Sequence, residues 1–358
     1  MDHRLQLLTR WVSQFPGFAD TAVVPVAGDA SFRRYFRVWR SADWQKVQGI
    51  QETQEARADQ AFIVMDAPPE HEDCQPFVTL AQHWRSQGVK VPAIVQQDLP
   101  QGFLLMEDFG DRLLLGQLNA ANAGQLYGSA LAELLRIQQL SDNPDYPLAA
   151  YSNDLLDREM ALFRDWLLQR QLGLDLNNSD LAMLSTTFNL LRESASAQPR
   201  VPVHRDYHSR NLLVTGIDDR PGVIDFQDAV MGPVTYDLVS LLKDCYVQWP
   251  HERVDSWMES YRQSSLNAGL HSADAATFRQ WFELMGLQRH LKAAGIFARL
   301  ALRDGKPDYL GDIPRTLGYL CSASGRQPAL RSFHGWLLST VVPAVEVTLG
   351  PVPGAQQP

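Results

Sequence analysis

Lysine is the scarcest charged residue in this 358-residue chain: 32 basic side chains include only Lys46, Lys90, Lys243, Lys292 and Lys306, and the rest are arginine. A phosphate-bearing ligand would therefore meet guanidinium groups far more often than ammonium groups. Cysteine is rarer still, at three residues (Cys74, Cys245, Cys321), none at metal-ligand spacing. That excludes a disulfide framework and a thiolate zinc site, and it fits a reducing compartment. No window reaches the ~18 apolar residues that a membrane helix needs. The opening MDHRLQLLTRWVSQF spaces its apolar residues helically and has no continuous apolar block, so it does not read as a secretory signal. Excess positive charge is also absent: the formal net charge is -9, against a broad nucleic-acid surface. A cytoplasmic protein with no membrane or nucleic-acid partner is expected.

What the chain does contain is ordinary for a globular protein, 45% hydrophobic and 20% charged, at a length that suggests two lobes. Leu5, Leu8, Trp11, Val12 and Phe15 recur at spacings of three and four, predicting an amphipathic helix stopped by Pro16 and Gly17. The period then drops to two. Thr21–Ala27 and Tyr35–Trp39 read as strands of a hairpin whose loop, GDASFRR (Gly28–Arg34), carries Ser31, Arg33 and Arg34. Small residues let backbone amides approach a phosphate, although the same composition also makes a plain turn. A polar connection, 41–60, leads to a third strand, Ala61–Met65. A helix over Gln75–Ser86 ends at Gly88, and strands follow at Val91–Gln97 and Phe103–Met106. An antiparallel sheet of about five strands with one helix after the third is the order of a kinase small lobe.

Beyond Glu107-Asp108-Phe109-Gly110 the pattern turns helical, over Gln125–Gln139, Leu155–Leu168 and Asp180–Arg192. The expected organisation is α+β: an N-terminal lobe over 1–107, a larger mainly helical lobe over 108–349, and a disordered tail over 350–358.

The chemistry concentrates in VHRDYHSRNLLV (Val203–Val214) and VIDFQD (Val223–Asp228), two short apolar runs joined by a polar turn at Gly216–Pro221. An aspartate, an asparagine five residues on, and a second aspartate after a short hairpin are the parts of a kinase catalytic loop and its metal-binding strand. In that reading Asp206 accepts the proton of a substrate hydroxyl, and Asn211 and Asp225 supply the hard oxygen ligands that Mg2+ takes together with the phosphates of ATP. Singly, such residues more often cap turns; it is their joint spacing that points to chemistry. His204 reads as a structural histidine. His208, two residues past the proposed base, and Asp228, three past the metal ligand, are candidate substrate contacts. Arg205 and Arg210 could contact phosphate or brace carboxylates. Asp237, in the helix start Thr235-Tyr236-Asp237, lies only twelve residues after Asp225, which leaves no room for a long activation loop and favours a small-molecule acceptor.

HRDYHSRNLL and VIDFQDAVMGPVTYDLVSLL resemble the aminoglycoside phosphotransferase family of small-molecule kinases, relatives of the protein kinases. GDASFRRYFRV, VMDAPPEHEDCQPF and FLLMEDFG resemble most closely a bacterial branch that phosphorylates N-acetylmuramate or N-acetylglucosamine at the anomeric hydroxyl in cell-wall recycling. The resemblance spans residues 20 to 330. It implies two lobes, ATP bound through the backbone of Met106-Glu107-Asp108-Phe109, a small-molecule sugar as partner, and a structural role for Asp237. It also exposes a departure: where the family's third strand carries a phosphate-pairing lysine, this chain has Phe62-Ile63-Val64-Met65, with Met65 nearest that place. Arg33 or Arg34 is then expected to take over, with Glu72 or Asp73 as its carboxylate. Another acceptor, such as an aminoglycoside, choline or homoserine, stays open, with Trp249, Glu252, Trp257, Trp281 and Glu283 as a pocket for a cation. So does a nucleotide-binding regulator without activity.

Overall fold

The computed structural model describes residues 2–26, 32–41, 60–144, 146–216 and 220–354. The chain divides into two compact units, Met1–Arg112 with Leu213–Gln227, and Leu113–Leu212 with Asp228–Pro358.

The first unit is built on a five-stranded antiparallel sheet of β1 (Val24–Pro25), β2 (Arg34–Arg40), β3 (Gln60–Asp66), β4 (Ile94–Asp98) and β5 (Phe103–Glu107), in the order β1-β2-β3-β5-β4. The first strand is far shorter than its alternation predicts, because Pro25 has no N–H to extend the ladder. Helix α1 (His3–Ser13) starts where the Asp2 side chain accepts from the Leu5 amide at 3.1 Å. It buries Leu8, Trp11 and Val12 against one sheet face, on Phe36, Val38, Phe62, Val64, Phe103 and Leu105. These are alternate positions along β2, β3 and β5, the period-two signature of a half-buried strand. Helix α2 (Gln75–Ser86) follows β3 as expected and buries Phe77, Leu80, Ala81 and Trp84.

The hairpin of Leu212–Val214 and Pro221–Val223 departs from the expected organisation. Read as part of the helical lobe, it packs with the sheet unit instead. The Val214 amide donates to the Arg112 carbonyl and the Val223 amide to the Lys90 carbonyl, both at 2.8 Å, and Lys90 Nζ reaches Thr215 Oγ1 at 2.7 Å. Gly222 lies so close to the Phe109 ring that a Cβ there would meet Cδ2 at 2.4 Å. Phe226 stacks on Phe77 with centroids 4.9 Å apart. Strands of three residues have no core of their own, so neighbouring main chain and aromatics hold them. The first unit accordingly runs to Arg112 and recruits Leu213–Gln227, where a boundary at 107 was expected.

The second unit contains α3 (Leu114–Gln117), α4 (Ala123–Gln138), α5 (Asn153–Leu162), α6 (Asn178–Ser196), α7 (Tyr236–Leu242), α8 (His251–Asn267), α9 (Ala275–Asp304), α10 (Ile313–Gly325), α11 (Arg331–Trp336) and α12 (Val342–Leu349). A two-stranded antiparallel ribbon pairs Arg200–Val203 with Val230–Pro233. The 30-residue α9 is buried along much of its length. It crosses α5 at Gly295, where a Cβ would sit 2.3 Å from the Leu162 carbonyl carbon. There α5 passes into a π-helical stretch, Phe163–Gln171. Residues 350–354, expected to be disordered, are placed: Val352 is buried and its amide donates to Glu346 Oε1 at 3.3 Å. The rest of the tail, 355–358, lies outside the described residues, as do Gly28–Ser31, Lys46 with the rest of 42–59, and 217–219 of the polar turn. Among the described residues no helix is long and apolar enough to cross a membrane.

Candidate active site

In the second unit the segment His204–Asn211 leaves the ribbon strand Arg200–Val203 and is gripped at nearly every residue. Asp237, in the first turn of α7 and without exposed surface, accepts the His204 amide at 2.6 Å and the Arg205 amide at 3.0 Å. Burial raises its pKa to about 6, although His204 and the two amide donors oppose the shift. Tyr207 Oη donates to the Ala130 carbonyl at 2.7 Å, and Ser209 donates its amide and hydroxyl to Asp244 at 3.0 and 2.6 Å. His204 Nδ1 accepts the Asp206 amide at 3.3 Å, so this ring holds the loop as expected. Arg205 sits at φ 77, one of two described non-glycine residues in the left-handed region. Such strain persists where the surroundings over-determine it.

These bonds leave Asp206 half-buried, its main chain fully engaged and its carboxylate without a hydrogen-bond partner among the described residues. Burial alone would push its pKa up, but the neighbouring cations, Lys292 first among them, bring it down to about 2. Asp206 is thus ionised at any physiological pH, a weaker base than the unshifted aspartate the sequence suggested. Asn211 Nδ2 donates to the Asp206 carbonyl at 3.0 Å, which aligns the asparagine by its nitrogen. His208 is buried; its Nδ1 has no partner among the described residues, and burial lowers its pKa to about 4, so the ring is neutral. Asp228 is exposed, and its carbonyl lies 3.5 Å from Arg205 Nη1.

Beside Asp206 lies a buried polar cluster that sequence reading missed. Glu159 on α5 accepts Arg205 Nη2 at 2.6 Å, lies 3.2 Å from Lys292 Nζ, and is bonded by Tyr151 Oη. Lys292 on α9 also donates to Tyr236 Oη at 3.0 Å. Gln288 and Arg289 flank it one turn earlier, both buried. The only clue was in LMGLQRHLKAAG, where charged and amide side chains interrupt an otherwise apolar helix. Arg205 therefore braces a carboxylate, whereas Arg210 lies over the Tyr246 ring at 3.8 Å. Two of the aromatics suggested for a cationic acceptor, Trp249 and Trp257, are engaged by neighbouring side chains. Trp257 stacks on Tyr127 at 4.3 Å, and Arg253 covers the Trp249 and Trp257 rings at 5.3 and 5.7 Å. Glu283 is paired with Lys243 at 3.0 Å and Arg326 at 3.1 Å.

In the first unit the two loop arginines have separate destinations. Arg34 bonds Asp66 Oδ2 from Nε at 3.0 Å and also pairs with Asp2, while Arg4 bonds the same Asp66 from Nε at 2.8 Å. Arg34 thus ties α1 to the sheet and is not the free phosphate contact the sequence allowed. Arg33 bonds Glu72 Oε2 at 3.0 Å, with both side chains largely buried, and its guanidinium feels the charge of Asp225. Asp225, at φ 66, is the second left-handed non-glycine residue, and its Oδ1 accepts Gln227 Nε2 at 2.7 Å. Met65 has no exposed surface and is paired with Tyr35 and Leu104, so no ligand can touch it as placed. Met106 is buried, and the Glu107 amide is spent on the Ala93 carbonyl at 2.9 Å. Asp108 is held by Arg37 Nε and the Gly110 amide. Ser31 lies outside the described residues.

An antiparallel sheet unit carrying an arginine–carboxylate pair beside an aspartate, and a helical unit presenting a clamped aspartate loop, define a protein-kinase-like fold. The chain belongs to the phosphotransferase enzyme family, which matches residues 22–276. It is 44% identical over 340 residues to the N-acetylmuramate/N-acetylglucosamine kinase of Pseudomonas putida, covering 92% of this chain and 94% of that protein. The protein of that name from Neisseria meningitidis is 36% identical over 340 residues, covering 93% and 95%. Among solved structures, a Plasmodium vivax ethanolamine kinase superposes with TM-score 0.61 at 10% identity, over 88% of this chain and 84% of that one. An ADP-bound aminoglycoside phosphotransferase superposes with TM-score 0.55 at 14% identity, over 90% and 99%. At such identities these two show the fold alone.

Proposed function

We propose that this chain is a cytoplasmic kinase that transfers the terminal phosphoryl group of ATP to the anomeric hydroxyl of N-acetylmuramate or N-acetylglucosamine. The observation that carries the acceptor is the near full-length identity to kinases so named. The reaction class is supported by the clamped loop that leaves the Asp206 carboxylate unbonded. The sugar oxygen attacks the terminal phosphorus, the bond to the ADP oxygen breaks, and the hydroxyl proton passes to Asp206. A carboxylate with pKa about 2 takes that proton only as the new bond to phosphorus makes the oxygen acidic, which suits a loose phosphoryl-transfer transition state. An anomeric hydroxyl, more acidic than an ordinary alcohol, suits so weak a base.

Asn211 and Asp225, both with side-chain oxygens, are assigned to Mg2+, which when bound would neutralise charge on the phosphates. Arg33, oriented by Glu72, takes the place of the absent lysine in gripping phosphate. Ser31 would serve the same phosphates, and the segment Met106–Phe109 would bind adenine through the main-chain groups the sheet has not taken. His208 and Asp228 are assigned to the sugar. Nucleic acid has no part in this reading, in keeping with the net charge of -9. Coupled-assay turnover of ATP with both sugars, and with choline and an aminoglycoside as controls, tests the acceptor. Asp206→Asn should lower kcat by about a thousandfold or more while leaving ATP affinity near that of the parent. Turnover within tenfold of the parent would remove Asp206 from its role.

A further inference from the structure

We infer that Arg289 is the receptor for the carboxylate that distinguishes N-acetylmuramate from N-acetylglucosamine, an inference that rests on the acceptor proposed above. Arg289 is only 5% exposed, yet no carboxylate lies within ion-pair reach of it among the described residues. Among the described residues its one hydrogen bond is Nη1 to Cys245 Sγ at 3.7 Å, and Nε is buried with no partner. Burial raises the Cys245 pKa, so the thiol is no anionic counterpart. Its neighbours are otherwise committed. Arg205 and Lys292 share Glu159, and Asp244 is taken by Ser209 and by the Tyr246 amide at 2.9 Å.

A guanidinium carried into a protein without a bonded anion is costly by several kcal/mol, and the usual compensation is an anion that arrives as ligand. Arg289 and Asp206 lie close enough for their charges to act on one another. An acceptor whose reactive hydroxyl meets Asp206 would therefore bring a carboxylate elsewhere on the same sugar within reach of this fork. The planar guanidinium matches a carboxylate with two parallel N–H donors. N-acetylglucosamine has no such group, so Arg289 sets preference between the two sugars and leaves the transfer chemistry to other residues. An oxyanion on the transferring phosphoryl group is the other possible source of negative charge, and it would serve both sugars alike.

The test compares kcat/KM for both sugars in the parent and in Arg289→Met and Arg289→Lys, using the full chain with ATP and Mg2+. On N-acetylmuramate the methionine variant should lose about a hundredfold, the gain of a desolvated charge-assisted pair. The loss on N-acetylglucosamine should be at least tenfold smaller, and lysine should restore part of the difference. Equal losses on both sugars overturn the inference and assign Arg289 to the phosphoryl group or to Asp206. The parent supplies an arm that needs no variant: the neutral carboxamide of N-acetylmuramate should be a poorer substrate than the acid by a comparable factor. Equal use of acid and amide refutes the inference with the proposed function intact. A parent that phosphorylates neither sugar removes both.

Discussion

Asp237→Asn tests whether a carboxylate far from any reacting atom sets the geometry of Asp206. A left-handed Arg205 costs about 1–2 kcal/mol relative to a relaxed residue. It is held by two amides donating to one buried carboxylate, at 2.6 and 3.0 Å, each worth about 1.5–3 kcal/mol as a hydrogen bond to a charged group. The clamp therefore outweighs the strain. Asparagine presents one oxygen and turns its NH2 toward the other amide, so a single neutral bond of about 1 kcal/mol remains against the same strain. The balance tips, Arg205 relaxes toward negative φ, and Asp206 moves with it. We expect kcat to fall by about a hundredfold, the loss typical of a small misplacement of a reacting group, with global stability lower by about 2–4 kcal/mol.

Protonation of Asp237 weakens the same clamp in the parent. With Asp237 titrating near pH 6, its share of kcat should fall as pH drops through 6, with one proton bound. Its share of folding stability has the opposite sign, because the raised pKa makes the folded state the tighter proton binder between the ordinary carboxylate range and pH 6. Pre-steady-state turnover from pH 5 to 8, alongside urea denaturation, separates the two. An asparagine variant with parental kcat, or one that retains the acid limb, would refute the clamp.

The two loop arginines should separate by the KM for ATP: Arg33→Met raises it by tenfold or more, about 1.4 kcal/mol, and also lowers stability, because the largely buried Glu72 loses its partner. Arg34→Met, which leaves the buried Asp66 to Arg4 alone, lowers stability by about 1–3 kcal/mol and leaves the KM for ATP within threefold. Nucleotide titration and urea melts of both variants check this, and swapped phenotypes would contradict it. Gly295→Ala gains about 1 kcal/mol of helix propensity but drives a methyl into the Leu162 main chain, which cannot rotate away. A net loss of about 1–3 kcal/mol in thermal or urea unfolding is expected, and an alanine variant more stable than the parent would show that α9 and α5 can separate without penalty.

Spacing along the chain determined a good deal by itself. Period-two alternation fixes which strand faces meet α1, because a strand can bury only alternate residues, and the helical stripes fix which sides of the later helices turn inward. Asp206, Asn211 and Asp225 stood out because a short loop and a two-stranded turn place them by local geometry. What only the tertiary structure decided is where long side chains go and which segment joins which unit. Adjacent in sequence, Arg33 and Arg34 point oppositely across a pleat, one to Glu72 and the other to Asp66 and Asp2. Nothing local announces that Lys292 and Arg289, on a helix far along the chain, act on the charge of Asp206, or that Glu159 pairs with both Arg205 and Lys292. Helix packing creates that proximity, and burial with unequal pairing is what singles out Arg289 within it.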